Sequence, residues 1–543
     1  MVKKNRGADG VMHALKDHGV DTVFTLSGNH IMSLFDAAVD TGQRLIHTRH
    51  EAAAVHMADA YGRLTGKPGI AMATGGPGHA NATAGLFTAL GADSPMVLLS
   101  GHAPTTQIGW GAFQELDQAA MAAPVAKASW MVETAGDLVA SIDRAMELAT
   151  SGRPGPVHVS LPSDLLDGEI AGRDAANADK SSQTLEASAD AWQAAARLIK
   201  SAERPVLIGG PVFARAEAAA EFHRMAQTIG IPGVIQESPR GLNDPSLGAF
   251  ADVLAQADLV VLVQKAADFT MRFAQTPHFA DDARLIAIGA DPAQLALALD
   301  RKGDKALTIA ADMTASLAGL SRMEGLAAQV NGSWRNAVEA AVAYRPETWS
   351  GAQDAKAGTL HPLEMCGAIR DWMSTKSDPI LIADGGEIGQ WAQATLTARR
   401  RVTNSVTGSI GASLPFALAA RAVDAEAPIV TIMGDGTVGF HLAEFETAVR
   451  CGLPFIAVVG NDANWNAEYQ IQVNSYGADR AANCDLTPAP YHDVCRSLGG
   501  FGAEVQTTAE LTDALVAAEA SGLPACINVR LDGRGAPKIQ LPK

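Results

Sequence analysis

The chain is poor in positive charge, in cysteine pairs and in long apolar runs, and each shortage removes a class of function. Lys and Arg total 42 against 59 Asp and Glu, a formal net charge of -17. A field of that sign repels polyanions and anionic bilayers, so neither a nucleic acid nor a membrane is expected as a partner. No run of about 18 apolar residues occurs, and the basic start "MVKKNRGADGVMHALKDHGV" has no apolar segment behind it; a spanning helix and a secretory leader are both unexpected. The 5 cysteines include no CxxC pair, which argues against a disulfide framework or a zinc site and fits a reducing, cytoplasmic location. An anionic small ligand would need local help from a metal ion or from backbone amides.

What is present is enough apolar residue for several cores. With 543 residues, 47% hydrophobic and 19% charged, roughly three or four domains of ~150 residues are expected, with little disorder. Strand-like stretches such as "GIAMATGG", "PMVLLSG" and "PVHVSLP" are apolar on both faces and alternate with helical stretches. That pattern indicates parallel sheets covered on both sides. A polar stretch from about 168 to 190 reads as a linker. A second unit follows with "PVLIGG", "DLVVLVQ" and "RLIAIGA", and a third with "PILIADGG", "PIVTIMGDG", "PFIAVVGND" and "PACINVRL". The expected architecture is α/β: three doubly wound parallel-sheet domains at 1–168, 190–325 and 355–543. In such sheets, ligands sit beyond the carboxyl ends of the strands.

Two strand ends of the third unit carry acids. "IVTIMGDGTVGF" presents Asp435 between glycines, and "FIAVVGNDANW" presents Asn461 and Asp462. One strand, helix, strand crossover separates them, so adjacent strands would bring both carboxylates to one sheet edge. Two such oxygens with a backbone carbonyl, that of Asn464, suit Mg2+, which keeps coordination free for phosphate. Gly434 and Gly436 permit close backbone approach, and a helix beginning near Thr437 would offer amides to a diphosphate. A lone GDG is otherwise an ordinary turn.

The paired motif resembles that of the thiamine diphosphate enzyme superfamily containing acetolactate synthase, benzaldehyde lyase and 2-hydroxyacyl-CoA lyase. The resemblance implies pyrimidine-binding, central and diphosphate-binding domains, with thiamine diphosphate and Mg2+ as cofactors. It implies Asp435, Asp462 and the Asn464 carbonyl as metal ligands, with Gly436, Thr437 and Trp465 beside them. Many members carry Asn where Asp462 stands, which adds charge near the diphosphate. "IADGGEIGQW" is similar to the segment that touches the diphosphate, placing Gly386, Glu387 and Ile388 there; the Glu387 carboxylate would repel a phosphate unless it points away. "TGSIGASLPFALAA" puts Ile410 beneath the bend of the cofactor, with Gly408 offering backbone contacts.

In the first unit, "TRHEAAAVHMADAYGRLTG" resembles the segment bearing the acid that hydrogen-bonds N1′ of the aminopyrimidine, implying Glu51 as the catalytic acid. Read alone, a Glu at a helix start complements the helix dipole. "ATGGPGHANATAG" is similar to the loop against the pyrimidine and implies Pro77 and Asn81 as cofactor contacts. "GAFQELDQAAMAAPVAK" implies Phe113 and Gln114 near the reacting carbon, with Gln114 donating to a substrate oxygen. "FTLSGNHIMSLFDAA" resembles the benzaldehyde lyase loop that carries a histidine into the site, implying His30 as a proton relay. The central "VQKAADFTMRF" lacks the arginine-containing segment of flavin-binding acetolactate synthases, so FAD is not implied. The end "GRGAPKIQLPK" shows no added lid of the kind that covers a CoA thioester.

The implied activity is a carbon-carbon bond lyase or carboligase, acting on a small-molecule carbonyl substrate: 2-hydroxyketones, aldehydes or 2-keto acids. 2-Hydroxyacyl-CoA lyase and acetolactate synthase are the alternatives within the class, and a non-catalytic cofactor-binding paralogue is the alternative outside it. A nicotinamide dehydrogenase would need a GxGxxG after the first strand, where none stands. The resemblance further implies a homodimer or homotetramer with intersubunit active sites.

Overall fold

The computed structural model describes residues 5–170, 185–326, 332–351 and 353–542. Most of the connection expected at 168–190 lies outside them. Three sheets form, every strand pairing within them parallel. The first contains β1 (Thr22–Thr25), β2 (Arg44–His47), β3 (Gly69–Ala73), β4 (Met96–His102), β5 (Ala128–Met131) and β6 (Pro156–Pro162), in the order β2-β1-β3-β4-β6-β5. The second has β7 (Pro205–Gly209), β8 (Gly233–Ile235), β9 (Leu259–Val263), β10 (Arg284–Gly289) and β11 (Ala306–Ala310), in the order β11-β10-β9-β7-β8. The third has β12 (Ile380–Ala383), β13 (Arg400–Thr403), β14 (Ile429–Gly434), β15 (Ile456–Asn461), β16 (Phe501–Val505) and β17 (Ala525–Arg530), in the order β13-β12-β14-β15-β17-β16.

The apolar runs explain these strands. Every residue of β3, β4, β6, β7, β9 and β12 is buried, as a sheet with helices on both faces requires. The helices between them begin and end on recognisable residues. Ser188 caps Ala189–Ser201 by accepting from Ala191 N–H, and that helix turns Ala195 and Ile199, one helical turn apart, into the second core. Thr507 and Glu510 close a capping box on Thr508–Ser521, which stops at Gly522 in the left-handed region.

The chain forms two compact units. One contains the described residues up to 170 together with Leu414–Glu426 and His441–Pro454; the other contains the second and third sheets. In the first unit the added segments pack against the helix Glu51–Thr65. Arg49 N–H donates to Glu444 Oε1 at 2.9 Å, and Arg63 lies 5.1 Å over the Phe416 ring. The His56 and His441 rings lie 5.6 Å apart, tilted 48° to each other. Both ring nitrogens of His441, and Nδ1 of His56, are shut from solvent and have no hydrogen-bond partner among the described residues. Burial therefore holds both imidazoles neutral, each pushed down to about 3.

Because these folded-state values lie below the ordinary 6.5, acid protonates the unfolded chain first. Their contribution to stability is complete above about pH 6.5 and is lost as pH falls toward about 3. Urea unfolding followed between pH 7 and pH 4 will show wild type losing more stability than His56→Leu or His441→Leu; equal losses would refute the account.

Candidate active site

Chemistry-bearing residues gather at the carboxyl ends of strands in both units. In the first unit Glu51 opens the helix Glu51–Thr65, whose N-cap His50 accepts from Ala52 N–H through Nδ1 at 3.1 Å. The half-buried Glu51 side chain accepts from Asn81 Nδ2 through Oε2 at 3.0 Å. Its Oε1 faces Gly78, where a Cβ would come within 3.4 Å. Pro77 is the first residue of the helix Pro77–Gly91 and follows Gly76, whose φ of 59° belongs to the glycine region.

Gly76 is held from behind: its amide donates to Gln118 Oε1 at 2.9 Å, while Gln118 Nε2 donates to Gly101 O at 3.1 Å and to Ser160 Oγ at 2.7 Å. A Cβ on Gly76 would meet Gln114 O at 2.7 Å. Gln114 itself has φ 58°, and its Oε1 is buried without a partner. His30 follows β1 and is buried, with Nδ1 3.2 Å from Thr74 Oγ1. Burial first, then His102, lowers its pKa below 6.5, so it stands as neutral imidazole at neutral pH. Its ring lies 6.1 Å from that of Phe113, which is exposed. Thus the first unit brings His30, Thr74, Gly76 and Gln114 together, and Thr74 lies against the Gly78 position that Glu51 also faces.

In the second unit, β14 and β15 pair with Gly434 opposite Gly460. That register places Asp435 and Asp462 just beyond neighbouring strand ends. The turn between them and the following helix is fixed by carboxamides. Asn461 Oδ1 accepts from Ala463 N–H at 3.2 Å, and its Nδ2 donates to Ala489 O and Asn528 Oδ1, both at 3.1 Å. Ala463 and Trp465 bond to the segment at Cys484–Leu486, so the Asn464 carbonyl between them faces the other way. Gly436 has no room for a Cβ, which would lie 2.6 Å from the Trp465 ring. The helix expected near Thr437 is a single turn, Asp435–Val438.

Gly386, Glu387, Ile388, Gly408, Ile410, Asp435, Gly436, Thr437, Asp462, Asn464 and Trp465 all line one cavity of about 180 Å³. That is below the ~300–1,000 Å³ of sites that enclose a whole drug-sized ligand; it suits one end of a cofactor. Burial raises Asp435 to about 6. Burial, and then the charge of Asp435, raise Asp462 to about 7. Asp435 Oδ2 is buried with no partner. Two carboxylates so placed are relieved by a divalent cation, and the glycine cradle beside them can take an anion, so the donor set fits a metal-bound diphosphate.

Some residues that shape or line this cavity were not assigned from sequence, among them Asp384 behind it and Arg240 and Arg534 in its wall. Asp384, nearly inaccessible, accepts from Gly385 N–H at 2.6 Å, from Gly411 N–H at 2.9 Å and from Ser413 Oγ, which fixes the loop that presents Ile410. Its signal stood in the quoted "IADGG". Arg240 and Arg534 line the cavity itself, and neither adjoins a motif.

A fold of parallel sheets with acids and glycines gathered at strand ends defines a protein that holds a phosphorylated cofactor, and comparison with known proteins names the class. Three family models match: the N-terminal TPP binding domain of thiamine pyrophosphate enzymes over residues 5–121, the central domain over 192–320, and the C-terminal TPP binding domain over 384–529. The chain belongs to the thiamine pyrophosphate enzymes. It is a thiamine diphosphate-dependent enzyme. Among its relatives are a probable acetolactate synthase of Mycobacterium bovis and the acetolactate synthase large subunit IlvG of Mycobacterium tuberculosis, each 30% identical over 545 residues that cover 98% of this chain and 96% of the relative. The 2-hydroxyacyl-CoA lyase 2 of Danio rerio is 29% identical over 541 residues, covering 91% of this chain and 86% of its own. Among the described residues, no helix is long and apolar enough to cross a membrane.

The raised acids carry a sign that can be checked. With folded values near 6 and 7 against an ordinary 3.8, the native state of metal-free protein holds protons that the unfolded chain has released. Stability therefore falls as pH rises from about 4 to about 7. The thermal midpoint of chelator-treated protein will drop by a few degrees across that window, and Asp462→Asn will flatten the slope. An unchanged slope in the variant would contradict the assignment.

Proposed function

We propose that the protein makes or breaks a carbon-carbon bond next to a carbonyl, as a lyase or carboligase on 2-hydroxyketones, aldehydes or 2-keto acids, with Mg2+ held by Asp435, Asp462 and the Asn464 carbonyl. The observation that carries the reading is the Glu51 carboxylate, with one oxygen fixed by Asn81 and the other left facing glycine. Thiamine diphosphate supplies a carbon nucleophile that adds to a carbonyl and accepts the electron pair when a bond to that carbon breaks. Glu51 holds a proton at N1′ of the aminopyrimidine, with Asn81 keeping the carboxylate in place. Pro77 packs along the same ring. Ile410, set by Asp384 through the Gly411 loop, would lie against the cofactor when it is bound.

His30, neutral at working pH and oriented by Thr74, takes up or returns a proton at the substrate hydroxyl. Gln114, with its Oε1 unspent and its backbone pressed against Gly76, orients the substrate oxygen through its amide. The names of the relatives, acetolactate synthase and 2-hydroxyacyl-CoA lyase, mark two specific substrates to try. The holoenzyme supplied separately with pyruvate, a benzoin-type acyloin and a 2-hydroxyacyl-CoA, with products identified by mass spectrometry, will show carbon-carbon bond chemistry on at least one. In the same preparation Glu51→Gln will bind cofactor within a few-fold of wild type yet lose roughly 10²–10⁴-fold in proton exchange at C2, read by deuterium loss in NMR. Exchange at the wild-type rate in that variant sinks the role of Glu51.

Glu51 of one subunit serves the cofactor held by Asp435 and Asp462 of another, in a homodimer or homotetramer. Mixing Glu51→Gln with Asp435→Asn, each inactive alone, then restores about a quarter of wild-type activity through hybrid sites that receive both intact residues. If each site were built within one chain, the mixture would stay inactive.

A further inference from the structure

The cavity around Asp435 and Asp462 carries more negative charge than a diphosphate pocket should bear. Its walls include four carboxylates, Asp435, Asp462, Glu387 and Glu468, and two guanidinium groups, Arg240 and Arg534. Arg534 is occupied: its Nε donates to Asp532 Oδ2 at 2.8 Å and its Nη2 to Asp354 O at 2.6 Å. Arg240 is not. Among the described residues no hydrogen bond or ion pair engages its guanidinium.

Its backbone, by contrast, is fixed. Arg240 N–H donates to Ser238 Oγ at 3.2 Å. The next residue, Gly241, has φ 59° and sits where a Cβ would fall 2.1 Å from Thr270 O. Pro239 abuts the Gly408 loop, at 3.6 Å from the Cβ position there. A turn after β8 in the second sheet therefore holds an unpaired cation at the wall of a pocket built by the third. Glu387, on the same wall, is half-buried; its Oε2 accepts from Gln390 Nε2 at 2.9 Å, and its carboxylate also accepts from the backbone of Ala536. Burial raises its pKa, and Arg240 is the first influence opposing that rise.

We infer that Arg240 is a cofactor-binding residue: its guanidinium pairs with the terminal phosphate of thiamine diphosphate and screens that phosphate from Glu387. This rests on the reading of the cavity as the diphosphate pocket. A fork of N–H donors matches a phosphate better than it matches one carboxylate oxygen, and a preset backbone lowers the cost of ordering the side chain. The assignment also accounts for a carboxylate at position 387, since a cation facing Glu387 lets an anion approach it.

The test is cofactor affinity, read by quenching of tryptophan fluorescence in saturating magnesium chloride, with Trp465 in the cavity wall as reporter. Arg240→Gln will weaken thiamine diphosphate binding roughly tenfold while changing the affinity for thiamine, which lacks the phosphates, by less than about twofold. Arg240→Lys will recover part of the loss. The double variant Arg240→Gln, Glu387→Gln will bind the diphosphate more tightly than Arg240→Gln alone, because the unscreened carboxylate is gone. Equal losses for thiamine and its diphosphate, or strictly additive effects in the double variant, overturn the inference. So does unchanged diphosphate affinity with a raised KM for pyruvate, which would move Arg240 to the substrate. If wild type binds thiamine and its diphosphate equally, the reading of the cavity itself is what fails.

Discussion

The in-register pairing of β14 with β15 is the constraint from which the site follows. Gly434 opposite Gly460 leaves Asp435 and Asp462 no choice but to emerge side by side. Burial removes much of the water that would separate their charges, and the outcome is visible in both raised pKa values. An isolated pair of this kind costs stability. A cation bound between the carboxylates would offset that cost, because metal binding couples to folding.

The same strand order recurs in the first and third sheets. If each is numbered from its own first strand, both read 2-1-3-4-6-5. Equivalent strand ends carry related solutions: after the third strand, "TGGPG" in one sheet and "MGDGT" in the other. In the first, Gly76 and Pro77 turn the chain into a helix of Pro77–Gly91; in the second, Gly434 and Asp435 turn it into the short Asp435–Val438. One topology thus carries a neutral loop in one sheet and an acidic loop in the other, and the difference lies in a few residues beyond the strand. The second sheet, ordered differently, contributes a loop carrying Arg240.

How much of this the sequence disclosed depends on how local the cause is. The parallel sheets were legible because a strand covered on both faces must be apolar throughout, as Leu259–Val263 is. The acids at strand ends were legible because each follows its strand immediately. Asp384 was in view but unassigned, since its partners Gly411 and Ser413 arrive from another loop. Arg240 was invisible: nothing near it resembles a site, and its significance arises from a cavity formed by distant residues. Helix length at Thr437 also escaped, because the chain beyond that turn is needed elsewhere, with His441 packing on His56 in the other unit.

Glu387 shows why residue identity alone misleads about charge. Read as sequence, its carboxylate repels a phosphate unless it turns away. In the fold it does not stand alone: it lines the cavity, with Gln390 and the Ala536 backbone holding its carboxylate and a cation within electrostatic reach. The field at a phosphate in that cavity is set by the sum over Asp435, Asp462, Glu387, Glu468 and the opposing cations. On the proposed reading, a divalent ion would offset two of those acids, Asp435 and Asp462. Glu387 and Glu468 would then stand against Arg240 and Arg534 at the cavity wall, where partly buried charges are less screened by salt than exposed ones.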